Sequence, residues 1–134
     1  MDTNGKKIIN DINENYCSFE VSKLLKEKRF EQLTQKAFIE DGTEYQFETT
    51  PQNYNDENGR FYKTSSRPTH SLAIEWIRVN YKIWIDIQST VKFKYYVYLI
   101  RGKKIEDFYN LIYFKTPQEA TEAGLLYTLQ NLLQ

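Results

Sequence analysis

The chain has 134 residues, 40% of them hydrophobic and 16% aromatic, with 18 basic residues against 18 acidic ones for a formal net charge of +0. That length makes one ordinary domain, which buries about two thirds of its unfolded surface and needs no disulfide or metal to fold. The charge balance excludes a global field that would recruit nucleic acid or anionic lipid.

Cys17 is the only cysteine, which rules out an internal disulfide and any multi-cysteine metal site and fits a reducing cytoplasm. The opening MDTNGKKIINDINENY lacks the apolar stretch of a signal peptide, and no run reaches the roughly 18 apolar residues of a membrane span. Residues 1–16 are therefore expected to form a loosely ordered leader docking through Ile8, Ile9 and Ile12, ahead of a single α+β domain over 17–134. From Ser18 the pattern becomes helical. Ser18 is placed as N-cap, Glu20 falls in the first turn, Val21, Leu24 and Leu25 share one face, and Lys26, Lys28 and Arg29 crowd the C-terminal end. Cys17 just before this helix has no second histidine in the chain to act as base, so it reads as an inert small hydrophobe.

KAFIE and TEYQF are β-prone runs around Asp41 and Gly42, and a two-residue Asp-Gly loop predicts a hairpin with strands near 36–40 and 43–48. RFYKT offers a third short strand. In NYNDENG the alternating oxygen ligands suggest a calcium loop, but the required glycine falls on Asn58, so the stretch reads as a turn at Asn58 and Gly59. Thr69 caps a second helix of about three turns with Leu72, Ala73, Trp76, Ile77 and Val79 on one face and Glu75 and Arg78 opposite. His70, the only histidine, shows no convergent partner nearby in sequence and reads as a solvated first-turn residue.

YKIWIDIQ alternates Tyr81, Ile83, Ile85 and Ile87 with Lys82, Trp84, Asp86 and Gln88, the pattern of a half-buried strand. In KFKYYVYLI the same logic puts Phe93, Tyr95, Val97 and Leu99 inward and Lys92, Lys94, Tyr96 and Tyr98 outward. NLIYFK adds a third strand near 110–115. The expected outward set, Lys82, Trp84, Lys92, Lys94, Tyr96 and Tyr98, is the candidate binding face. Residues 76–115 hold eight basic and three acidic side chains, a local balance of +5, and aromatic rings among lysines suit either a protein contact or single-strand nucleic acid. Thr116, Pro117 and Glu119 start a final helix running to about Leu133. In it Leu125, Leu126, Leu129, Leu132 and Leu133 form the apolar arc, and Ala123 and Tyr127 lie on the far side, as an edge or a second interface.

Three segments, YCSFEVSKLLKEKRF (16–30), RPTHSLAIEWIR (67–78) and TPQEATEAGLLYTLQNLL (116–133), together resemble a group of small uncharacterised phage and prophage proteins of Bacteroides-type gut bacteria. Those proteins carry a CSFEVSKLLKEKGF-like opening, a Pro-Thr helix start before a Trp-Leu or Trp-Ile pair, and an acidic, alanine-containing last helix. Arg29 stands where the group has glycine, which argues against a tight left-handed helix stop there. The resemblance implies a source and brings no catalytic residue with it.

The expected architecture is α+β, an antiparallel sheet of four to six strands with three helices mainly on one face. GxGxxG, Walker A, HExxH and CxxC are all absent from the chain, so no catalytic residue, cofactor or metal is nominated. The expected function is that of a phage-derived, non-catalytic accessory protein in the host bacterial cytoplasm, binding a host or phage protein. The alternatives are a structural component of the virion and a single-strand nucleic-acid binder. Self-association is compatible with each, and a membrane role with none.

Overall fold

The computed structural model describes residues 15–45, 50–56, 63–90, 92, 94–103, 105–110 and 112–133. Ile8, Ile9, Ile12, residues 46–48 of the strand expected near 43–48, the turn at Asn58 and Gly59, residues 60–62 of the strand expected in RFYKT, and Phe93 lie outside them. The fold is α+β, with three helices and two three-stranded antiparallel sheets among the described residues, rather than one continuous sheet.

Helix α1 (Phe19–Glu27) opens as expected, with the Ser18 hydroxyl accepting from the Val21 N–H. Its end differs from the expectation. Arg29 does take a left-handed conformation, φ 65°, and lets Phe30 N–H bond back to Leu25 O at 3.0 Å, so the chain turns sharply without the glycine that usually permits it.

Strands β1 (Lys36–Ile39), β2 (Glu44–Tyr45) and β3 (Thr64–Arg67) form the first sheet in the order β2-β1-β3. The β1–β2 loop is longer than the expected two residues. Ile39 N–H bonds to Thr43 O and Gly42 N–H to Ile39 O, and only Gly42 has positive φ, at 89°. This is the three-residue hairpin loop with glycine in the left-handed position. Strand β3 comes from TSSR, a stretch without strand propensity, and Thr64, Ser65 and Ser66 are nonetheless buried. Their polar groups are satisfied by the turn beneath them: Tyr54 N–H donates to the Ser66 hydroxyl, the Thr64 hydroxyl to Tyr54 O, and Ser66 N–H to Asn55 Oδ1.

Helix α2 (His70–Tyr81) is capped by the Thr69 hydroxyl and ends at Lys82, which is left-handed with φ 57°. Ala73, Trp76 and Ile77 are buried, but Val79, expected inward, is exposed. The second sheet, β4 (Ile83–Ser89), β5 (Tyr96–Gly102) and β6 (Ile105–Tyr109), follows in simple meander order. The β4–β5 link runs from Thr90 to Tyr95, closed by Thr90 N–H to Tyr95 O at 2.8 Å, so β5 starts four residues later than KFKYYVYLI suggests. Beyond β6 the chain kinks at buried Asn110, whose Oδ1 accepts from Tyr98 N–H at 2.7 Å. It then pairs again with β5 at Tyr96 and Phe114.

Helix α3 (Pro117–Asn131), capped by Thr116, lies across β4 and β5 at Gly124. A β-carbon there would stand 3.1 Å from Ile85 Cγ2 and 3.2 Å from Tyr98 Cβ. Tyr127, expected on the far side, stacks instead on Phe108 with ring centres 4.4 Å apart. Both sides of α3 are occupied, the leucines in the core with α1 and α2 and the small residues on the sheet. No helix among the described residues is long and apolar enough to cross a membrane.

Two substitutions test these joints. Arg29→Gly removes a left-handed side chain and should raise stability by about 1 kcal/mol. Gly124→Val forces overpacking against β4 and β5 and should lower it by about 2 kcal/mol or more. Urea unfolding checks both.

Candidate functional site

The register of the second sheet decides which aromatics face out. Ile83, Ile85 and Ile87 pair with Gly102, Ile100 and Tyr98, and Trp84, Asp86 and Gln88 pair with Arg101, Leu99 and Val97. Directly paired residues share a face, so Tyr98 lies on the α3 side with Ile85 and Ile100. This corrects the expected orientation of β5. Tyr98 is buried, and its ring neighbours Phe108, Phe114 and Tyr127. Tyr96, two residues earlier, shares that side and is half-buried. The physical reason is the close approach at Gly124, which leaves room for the Tyr98 ring against α3. Burial pushes the Tyr98 phenol above its ordinary pKa, and neighbouring Tyr127 adds to this.

The face turned away from α3 carries Trp84, Asp86, Val97, Leu99 and Arg101, with Leu99 buried, Trp84, Asp86 and Val97 half-buried, and Asp86 and Arg101 joined at 2.6 Å. Leu99 also pairs with Tyr109 of β6, which is 60% exposed. Tyr95 and Tyr113 flank the Tyr96–Phe114 bridge on this same side. They stack on each other at 5.9 Å while remaining 42% and 64% exposed. Of the six predicted residues, Trp84 stands on this face, and Lys92 and Lys94 are exposed in the loop beside Tyr95. Lys82 is exposed at the α2–β4 joint, while Tyr96 and Tyr98 belong to the other side. Sequence reasoning missed Tyr95, Tyr109 and Tyr113. The signal that finds them is the length of the β4–β5 link, because one residue of register reverses a strand's faces.

A second cluster lies where α1, α2 and α3 begin. His70 is not solvated: its Nε2 sits 2.5 Å from Glu122 Oε2, and the other Glu122 oxygen accepts from Ser18 N–H at 2.8 Å. Burial works against the Glu122 charge, but the hydrogen bonds from His70 and Ser18 outweigh it and hold the carboxyl below its ordinary value of 4.5. Cys17, fully buried beside them, is pushed well above the ordinary thiol value by burial and by the Glu122 charge, with Arg67 opposing. It stays a thiol rather than a nucleophilic thiolate. Around this cluster Arg67 and Lys36 converge on Glu44 at 2.9 and 3.3 Å. Among the described residues no group of three or more His, Cys, Asp and Glu is arranged to hold a metal ion.

No family model, curated protein or solved structure matches the chain.

Because the folded Glu122 carboxyl titrates below its unfolded value, its contribution to stability is complete above about pH 4.5 and is lost as pH falls through the folded value. Glu122→Gln should cost roughly 1–3 kcal/mol at neutral pH. Urea titrations between neutral pH and strong acid should show its gap from the wild type shrinking in acid.

Proposed function

We propose that this chain is a phage-derived, non-catalytic accessory protein that works by binding a host or phage protein through the second sheet's face of Trp84, Tyr95, Tyr109 and Tyr113. The observation that carries this reading is the exposure of three tyrosines at one edge of the second sheet, Tyr109 at the end of β6 and Tyr95 and Tyr113 just beyond the strands, the latter two already stacked at 5.9 Å. Rings preordered in this way lose little rotamer freedom on binding, and aromatic residues dominate interface energetics. Trp84, partly covered beside the Asp86–Arg101 pair, extends that surface along β4.

The non-catalytic part of the reading is supported by the fate of the chain's only thiol and only imidazole. Cys17 is buried and held protonated, and His70 is engaged by Glu122. The phage source rests on the resemblance of the three segments 16–30, 67–78 and 116–133, and the host cytoplasm is the compartment that source and the single cysteine suggest.

A pull-down from phage-bearing cells, comparing the wild type with Tyr95→Ser/Tyr113→Ser, tests the face. A protein partner retained by the wild type and lost by the double variant, at stability within about 1 kcal/mol of wild type, is the expected result. Tyr98→Ala, on the core side, should instead cost about 3–5 kcal/mol and lower binding only through unfolding. Recovery of the chain inside purified particles would place its partner in the virion. Tryptophan quenching by an oligonucleotide, with affinity falling steeply with salt, would overturn the reading in favour of nucleic acid.

A further inference from the structure

Three chain segments far apart in sequence meet at one carboxylate, Glu122 of α3 with Ser18 and His70. Residues 15–18 are stitched to the corner between β3 and α2: Cys17 N–H donates to Pro68 O at 2.9 Å, His70 N–H to Asn15 O at 2.7 Å, and Arg67 Nε to Cys17 O at 2.8 Å. Tyr16 pairs with Thr69 in the same strip. Strap and corner are thus one hydrogen-bonded unit. Among the described residues, both hydrogen bonds that join this unit to α3 end on Glu122, from Ser18 N–H at 2.8 Å and at His70 Nε2 at 2.5 Å.

Beneath this junction lies Cys17, 0% exposed and packed in the core with Val21, Leu125 and Leu129. We infer that Glu122 is a clasp: while its carboxylate holds Ser18 and His70, the strap seals Cys17, and when the contact is lost strap and corner part from α3 and the thiol becomes reachable. The clasp stands on the wall of an open cleft of about 620 Å³ that also holds Lys36, Glu44, Arg67 and Glu119. Lys36 and Arg67 both pair with Glu44 rather than with Glu122, and Glu119 on the same helix is exposed. His70 is therefore the one cationic or cation-forming side chain of the cleft engaged with Glu122 among the described residues. Protonating Glu122 removes the charge that both donors address and opens the clasp. Since the folded carboxyl titrates below 4.5, the clasp stays closed at neutral and mildly acidic pH.

The test is the reaction rate of Cys17 in the full folded chain with dithiodipyridine, a thiol probe that works in acid. At neutral pH Glu122→Gln should react about tenfold faster than the wild type or more, as local opening adds to global unfolding. His70→Gln should move the rate in the same direction. Leu129→Ala, which weakens the core away from the clasp, is the control for global unfolding. A Glu122→Gln rate no higher than wild type, or no higher than that of Leu129→Ala at equal measured stability, overturns the inference. If Glu122→Gln does not fold, the wild type decides. Its rate, after correction for thiolate content, should rise once pH falls below 4.5 while circular dichroism stays native, and a flat profile overturns the clasp.

Discussion

Gly124 lets α3 rest so close to β4 and β5 that even a β-carbon there would be tighter than ordinary contact. Ile85 and Tyr98 stand 3.1 and 3.2 Å from where its β-carbon would be. Once the helix sits that low, Tyr98 is enclosed by Phe108, Phe114 and Tyr127, and the alternation of β5 is fixed along its whole length. Tyr96 follows Tyr98 inward, and Val97, Leu99 and Tyr95 turn outward. The second sheet's outer surface is thus a consequence of helix packing on its inner one.

The two halves of the molecule meet through the helices. Phe19 of α1 packs edge-on to Phe38 of β1 at 5.3 Å, and Trp76 of α2 packs against both Phe30 and Tyr81. These aromatic contacts supply core volume in a chain with 11 Tyr and eight Phe. Polar junctions set the angles between the elements. Glu122 ties α3 to the starts of α1 and α2, and Lys28 Nζ reaches Leu133 O at 3.1 Å to tie the far ends of α1 and α3. Directional bonds of this kind select one arrangement among several that apolar burial alone would allow.

The segments 16–30, 67–78 and 116–133, which hold the three helices' starts, converge in space. Ser18 and His70 both contact Glu122, away from the exposed tyrosines of the second sheet. The helix starts thus meet at one polar junction, whereas the exposed tyrosines of the proposed contact surface lie at residues 95–113, away from it.

Local signals were legible in the chain. Ser18, Thr69 and Thr116 each cap the helix they precede, Ile83, Ile85 and Ile87 share the core face of β4, and the α+β class follows from these elements. Each depends on interactions within a few residues, which sequence spacing encodes directly. The rest depended on distant partners. TSSR becomes a buried strand because Tyr54 and Asn55 satisfy its polar groups. Arg29 is left-handed because Phe30 must reach the core beside Trp76. His70 finds its partner 52 residues away. At the start of β5, where Tyr95 and Tyr96 stand at successive positions, hydrophobicity cannot tell one face from the other. The sequence by itself determined that a strand and a set of exposed rings would exist there, and the tertiary fit of Tyr98 against Gly124 decided which rings they are, because a ring's direction depends on the space a remote helix leaves for it.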